Sequence, residues 1–489
     1  MEQARVHALD VAVLAATLLI AVAVGLAVGR RAKTARAYAV GERDVPWWAI
    51  LLSIVATETS AVTFLSVPGK AYLGDLRFLQ LPLGYVVGRV AVARLLLPRY
   101  FEGDALTAYE VLGRRFGPGV KRLTSALFLV TRSLADGLRL FLTALPLQLL
   151  SGLSLATSVA IMSLVTVAYT FVGGMKAVVW TDVVQFFIYV AGGALALAVA
   201  CGDVPGGLAA ILDHAGGAGK LRWLDFTPTL ASADVFWAGL FGGAFLTLAT
   251  HGADQLMVQR YLCARSRRQA AVAVVASGVV VFLQFGLFLL LGVALWEWFG
   301  GHPPPAPFNG GDEVFPQFIF QRLTAIPGAV GLILGAIFAV SMSTLSSSLN
   351  SSAAALVNDF LKPTVGRAWD DARTLRATKL ATLLFALVQG ACGLIGATLV
   401  KSVVDSVLQI ASFTTGVTLG LFFLARVAPR ASGRAALAGA GVGLAALLVL
   451  WSCTPLSWAW YSCVGSGITC LVGVACAPWL GPARGEAAG

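Results

Sequence analysis

Apolar runs, each about the length of a bilayer crossing, recur from one end of the 489-residue chain to the other. A helix rises about 1.5 Å per residue, so a hydrocarbon core of roughly 30 Å takes about 20 apolar residues. That rule predicts about thirteen spans, at 8–28, 46–72, 76–98, 122–150, 155–172, 178–202, 234–258, 270–299, 327–356, 378–399, 403–426, 434–453 and 457–479. Three pieces between them do not span. Residues 103–120 read as a short amphipathic helix on one membrane surface, and 203–233 as a polar loop on the other side. Residues 301–326 read as a Pro/Gly-rich lead into a surface or re-entrant helix. The expected fold class is an all-α polytopic membrane protein.

Polar residues interrupt three of these spans. In the ninth, Val340, Ser343, Thr344, Ser347 and Ser351 follow helical spacing and share one face. Small hydroxyl residues let helices pack closely and bond across to one another, and the same oxygens can cradle a small hard cation. In the second span, Ala56-Thr57-Glu58-Thr59-Ser60 puts four consecutive polar residues near mid-membrane, where they cannot all face one partner. A helix broken there frees carbonyls to line a cavity; a continuous helix with Glu58 protonated or paired to an arginine is the alternative. The seventh span carries Thr247, Thr250, His251, Asp254 and Gln255, which suggests a second interruption five spans after the first. Arg132, Asp136 and Arg139 of the fourth span sit at i, i+4 and i+7, either as a packing ladder or with one arginine left for an anionic group. Ionisable residues at this depth are costly and point to function.

Composition agrees with the pattern: 58% of the residues are hydrophobic and 12% charged, about half the charged share of a soluble domain. The net charge of +11 does not imply nucleic acid. Most Lys and Arg fall in connections after odd-numbered spans, such as Arg30, Arg31, Arg114, Arg115, Arg265 and Arg267. The positive-inside rule then puts the N-terminus outside and the C-terminus in the cytoplasm of a multi-pass cell membrane protein. Seven cysteines lie mostly in apolar runs without a CxxC pair, so neither a disulfide framework nor a metal site is expected. No nucleophile elbow, phosphate loop or metal-ligand cluster supports an enzyme. The first run lacks a basic leader and reads as a retained helix; no soluble domain is expected at either end.

Three segments resemble the sodium/solute symporter family, which includes sodium/glucose, sodium/proline and sodium/iodide cotransporters. Tyr169-Thr-Phe-Val-Gly-Gly-Met-Lys-Ala-Val-Val-Trp-Thr-Asp-Val-Val-Gln185 is similar to its GG-x-x-A-V-x-W-T-D-x-x-Q signature. Ser343-Thr-Leu-Ser-Ser-Ser-Leu-Asn-Ser351 with Asp359-Phe-Leu-Lys-Pro363 resembles its cation-binding helix, and Gly252–Arg260 the inner end of its second broken helix. The resemblance implies a LeuT-like five-plus-five inverted repeat. Residues 1–45 would hold an extra helix and loop, 46–202 the first repeat, 203–233 an outer loop, 234–426 the second repeat and 427–489 two C-terminal helices. It implies a sodium ion on the carbonyls of Ala56, Thr59 and Val340 and the hydroxyls of Ser343 and Thr344. Asp182 matches a residue tied to a second sodium in some members; its other reading is a helix N-cap.

Glu58 falls where the proline branch has an acid, and Thr250 and His251 where sugar transporters have aromatics. The expected solute contacts are Glu58, Thr63, Arg139, Thr247 and Gln409. The chain is thus expected to import a small polar solute with sodium, charged or zwitterionic, with a proton-coupled or sugar-specific symporter as the alternatives. Lipid and solute are the expected partners, with no nucleic acid and no obligate protein partner.

Overall fold

The computed structural model describes residues 7–29, 34–41, 43–102, 107–301, 310–396 and 403–480. Among these the architecture is wholly helical, apart from one isolated bridge between Val45 and Ala264. In chain order the helices that matter are α1 (Ala8–Gly29), α2 (Trp47–Glu58), α3 (Ala61–Leu73), α4 (Gln80–Ala91), α5 (Ala108–Phe116), α6 (Pro118–Ser151), α7 (Leu155–Asp203) and α8 (Gly207–Gly217). There follow α9 (Gly243–Gly252), α10 (Gln255–Leu262), α11 (Arg267–Trp298), α12 (Val314–Gln321), α13 (Ala329–Ala355), α14 (Asp371–Gly396), α15 (Val403–Val427), α16 (Gly433–Cys453) and α17 (Tyr461–Cys476). Nine helices among the described residues are long and apolar enough to cross a membrane by themselves. A tenth crossing is the bent pair α2 and α3.

Both expected breaks are present. The α2–α3 segment bends by 59°. Thr59 (φ −73°, ψ 94°) and Ser60 (φ −94°, ψ 175°) are extended between the two halves, so the i→i+4 ladder is interrupted and α2 leaves carbonyls without helical partners. The second break lies at Ala253 and Asp254. The Asp254 carboxylate caps α10 by accepting from the Leu256 amide at 2.8 Å.

Two expectations change. The fifth and sixth spans are the two helical stretches of α7, which meet at the non-helical Gly174 (φ 61°, ψ −169°). A side chain there would strain the backbone, and its Cβ would sit 2.7 Å from the Tyr38 carbonyl, so only glycine serves. Asp182 therefore lies well inside a helix and is not an N-cap. The 203–233 loop is not irregular throughout, because its first part folds as α8. The amphipathic helix is found as α5. Its predicted start at 103–106, most of the Pro/Gly-rich lead before α12, and Arg30 and Arg31 lie outside the described residues.

The helices differ sharply in what surrounds them. The most apolar window of α1 is 11% buried, that of α13 94%. Lipid can therefore cover most of α1, while every hydroxyl of α13 faces protein. Close helix contacts come from glycine: a Cβ on Gly84 of α4 would overlap the Gly239 carbonyl ahead of α9, and one on Gly331 of α13 the Asp10 carbonyl of α1.

Candidate functional site

Two polar regions adjoin the first break. The deeper one joins α2, α7, α10 and α13. Thr344 Oγ1 donates to the Thr57 carbonyl at 3.0 Å and to its own turn at Val340 O at 3.2 Å. Ser343 Oγ donates to Asp182 Oδ1 at 2.7 Å and lies 3.3 Å from Thr57 Oγ1. Of the expected cation ligands, Ser343, Thr344 and the Val340 carbonyl thus gather around the last turn of α2. The residue of α2 they touch is Thr57, next to the expected Ala56 and two residues before the expected Thr59. Thr59 itself caps α2, its hydroxyl donating to Val55 O at 2.7 Å. Gln284 donates to that hydroxyl at 2.5 Å. The carbonyls left free by the break and the α13 hydroxyls form a cluster of neutral, hard oxygens, the donor set that a small monovalent cation requires.

Asp182 borders this cluster. It accepts from Ser53 at 2.5 Å and pairs with Arg260 at 3.1 Å, both side chains of the pair being fully buried. The Arg260 guanidinium also donates to Ser53 at 2.9 Å, to the Leu256 carbonyl at 2.7 Å, and to the hydroxyls of Thr57 and Ser347. A buried carboxylate is costly unless paired and hydrogen-bonded; here α10 supplies the partner across to α7, tying the second broken span to the first.

The second region is a cavity of about 100 Å³. Its walls include Glu58, Ser60 and Thr63 beside the first break, Tyr85 of α4, Arg132 and Arg139 of α6, Thr250 and His251 of α9, and Val407, Leu408 and Ala411 of α15. The ladder on α6 is real: Arg139 pairs with Asp136, and Arg132 lies 3.9 Å from Asp136 and 2.6 Å from Asp254 of the second break. Among the described residues the Nε atoms of Arg132 and Arg139 are buried with no hydrogen-bond partner. Glu58 does not meet either arginine of α6. It pairs with Arg89 of α4, and His251 Nε2 lies 3.5 Å from the same oxygen. Arg89 also donates to Ser277 at 2.6 Å and points at His251 Nε2, 3.2 Å away. The other ring nitrogen, Nδ1, lies 3.1 Å from the Thr250 hydroxyl and 3.2 Å from that of Thr247.

Of the expected solute contacts, Glu58, Thr63 and Arg139 line the cavity. Thr247 stands behind His251 and holds it. Gln409 bonds to Tyr461 of α17; it lies about 100° around α15 from Leu408, off the cavity wall. Sequence reasoning missed Arg89 and the pairing of Arg260. An arginine in the middle of the third apolar span was the available signal for Arg89.

Residues 38–443 match the profile of the Sodium:solute symporter family. The chain is 31% identical to the sodium/iodide cotransporter of Homo sapiens over 92% of its length and 70% of the relative's. It is 29% identical to the sodium-coupled monocarboxylate transporter 1 of Homo sapiens, over 90% and 72%. It is also 29% identical to the sodium/sialic acid symporter NanT of Aliivibrio fischeri, over 93% and 90%. Among solved structures, a substrate-bound, outward-open Na⁺-coupled sialic acid symporter superimposes with a TM-score of 0.88 at 26% identity, covering 97% of this chain and 99% of that one. Mhp1, a nucleobase-cation-symport-1 family transporter, shares the fold at TM-score 0.59 and 15% identity, over 92% and 95%.

Proposed function

This chain belongs to the sodium:solute symporter family, and from that premise we propose that it imports a small organic anion, a carboxylate, together with sodium. The observation that carries the choice of an anion is the pair of buried, unpartnered Nε atoms on Arg132 and Arg139 at the cavity wall, among the described residues. A guanidinium with spare donors is a carboxylate receptor. Glu58, the one acid on the wall among the described residues, is already held by Arg89. Sodium/iodide, monocarboxylate and sialic acid relatives carry anions by name, which supports the same class.

The charge balance explains why the cation is needed. Glu58, Asp136 and Asp254 are matched by Arg89, Arg132 and Arg139. An anion entering this set unaccompanied brings a net negative charge into a region of low dielectric. A sodium ion on the carbonyls of Ala56, Thr57, Thr59 and Val340 and the hydroxyls of Ser343 and Thr344 offsets it across the last turn of α2. Sodium binding also orders the break that presents Glu58, Ser60 and Thr63 to the solute. Rocking of the two repeats then exposes the cavity to the cytoplasm, the side on which the basic connections place the C-terminus.

One sodium per monovalent anion moves no net charge, so accumulation draws on the sodium gradient alone. A second sodium beside Asp182 requires Arg260 to leave, and it would add about 2.3 kcal/mol per 100 mV of membrane potential. A thermal-shift and uptake screen in saturating sodium tests the reading. Short-chain and hydroxylated carboxylates are expected to stabilise the protein, and Arg139→Gln to abolish that shift. Stabilisation by neutral sugars with no response to carboxylates would overturn the reading.

A further inference from the structure

Another cavity, of about 370 Å³, opens on the membrane face that carries the basic connections. That lies within the range of small-ligand sites, about 300–1,000 Å³. Three elements wall it: the end of the Leu76–Phe101 span, the amphipathic helix α5 and the last turns of α15. Its charged side chains are Arg99, Glu102, Arg114 and Arg115, three cations against one carboxylate. Arg114 is held by Glu110, 2.9 Å away. Arg99 donates to the Phe422 carbonyl at 3.4 Å, and Arg115 to the carbonyls of Ala428, at 3.2 Å, and Pro429. Among the described residues neither of these two meets a carboxylate. Carbonyls take up one or two of the five N–H groups of a guanidinium and leave its charge unbalanced.

The rest of the wall is apolar: Val111, Leu112, Phe422 and Ala425. Phe422 is buried and packs edge-on against Tyr100, which makes a firm floor. Next to the cations the protein surface is apolar and uncovered. Leu95, one turn deeper in the span than Arg99, is 40% exposed, and Val427, two residues after Ala425, is 67% exposed. Helix α5 turns Ala108, Tyr109, Leu112 and Phe116 inward and brings Arg114 and Arg115 of its last turn to the cavity. A soluble phosphate would use the cations alone. Cations bordering an uncovered apolar surface suit a molecule with a phosphate at one end and acyl chains at the other. Glu102, exposed at the rim, can accept from a headgroup hydroxyl.

We propose that this cavity binds an anionic phospholipid with a hydroxylated headgroup, its phosphate held by Arg99 and Arg115. Guanidinium groups grip phosphate oxygens through charge-assisted, bidentate bonds. The positive-inside rule assigns this face to the cytoplasm, and anionic lipids of that leaflet draw basic groups at the membrane surface. The bound lipid ties α5 to α15. The start of α5 in turn holds two elements of the transport core. The Ala108 amide donates to Gln255 Oε1 of α10 at 2.6 Å, and Thr107 Oγ1 to Asp359 Oδ1, just after α13, at 3.1 Å. Lipid occupancy therefore stabilises the arrangement in which α5 joins the second broken span to the end of the hydroxyl helix.

The test is the melting temperature of the purified full-length protein in detergent micelles carrying increasing phosphatidylglycerol, against the same mole fraction of phosphatidylcholine. Phosphatidylglycerol is expected to stabilise the parent and phosphatidylcholine to do so far less. Arg99→Gln with Arg115→Gln keeps donors for the carbonyls and loses both charges, and is expected to weaken the apparent phosphatidylglycerol affinity about 10-fold or more. Arg267→Gln with Arg268→Gln, exposed on the same face at the start of α11 and outside the cavity, is expected to change it less than about 3-fold. Hydrogen exchange on the parent needs no variant: phosphatidylglycerol should slow exchange across α5. Equal stabilisation by the two lipids would overturn the proposal. So would equal weakening by the two variant pairs, which would show a diffuse basic surface, or protection by the lipid that leaves α5 unchanged. Stabilisation by glycerol phosphate, the headgroup without its chains, to the same extent as by phosphatidylglycerol would assign the cavity to a soluble phosphate and overturn it as well.

Discussion

Replacing Arg89 by methionine removes a guanidinium that is 0% exposed from a carboxylate that is 14% exposed. Glu58 is then left with His251 at 3.5 Å. Breaking one side of a buried ion pair costs about 3–5 kcal/mol, because the remaining charge keeps its desolvation penalty and loses its partner. Unfolding entropy near the midpoint is about 2.1 cal/mol/K per residue. For a chain of 489 residues that is about 1 kcal/mol per degree, so the expected loss is about 3–5 °C. Glu58→Gln together with Arg89→Met removes both charges and is expected to recover about 2–3 kcal/mol relative to the sum of the single losses. Scanning fluorimetry on the purified parent, both single variants and the double variant completes the cycle. Single losses that add to within about 0.5 kcal/mol would mean that the two side chains do not interact, and the account of how Glu58 is held at the break would fail.

Gly174→Ala forces a non-glycine residue to φ 61° with its Cβ 2.7 Å from the Tyr38 carbonyl, and little folded protein is expected on size-exclusion chromatography. Gly84→Ala on the face of α4 that packs ahead of α9 is expected to lower the melting temperature by a few degrees, whereas Gly286→Ala, with open space around it, is not. Asp182→Asn leaves Arg260 buried without its carboxylate; Arg260→Gln in addition is expected to restore part of the lost stability, read on the same instrument. On the surface opposite the basic connections, Glu297 at 2.9 Å raises the His214 pKa above its ordinary value. The pairing is therefore complete below about pH 6.5 and lost as pH rises through the raised value, so hydrogen exchange across α8, corrected for its intrinsic rate, should quicken at high pH; Glu297→Gln should remove that dependence.

The spans, both breaks and the hydroxyl stripe were legible in the sequence, because each departs from lipid-compatible composition at a readable place. Four polar residues in a row around Glu58 and the Thr247–Gln255 cluster could not persist as lipid-facing helix. Partners were less legible. Helical spacing found the Arg132–Asp136–Arg139 ladder within α6, yet no local pattern links Glu58 to Arg89, 31 residues on, or Asp182 to Arg260, 78 residues on. Those pairings are set by how α2, α4, α7 and α10 pack. The location of Asp182 failed for a different reason: the second helical stretch of α7 starts directly after the non-helical Gly174, so Asp182 lies about two turns inside it. Gln409 shows the limit of spacing arguments at the cavity, where one position around α15 separates a wall residue from one facing α17.

Equilibrium binding of radiolabelled sodium to the purified protein, with no solute present, reads the cation site between α2 and α13 by itself. Saturable binding to the parent is expected, lost in Ser343→Ala with Thr344→Ala while the double variant still elutes as a folded protein. Undiminished sodium binding by that variant would contradict it, since the ion could not then be resting between the broken α2 and the hydroxyls of α13.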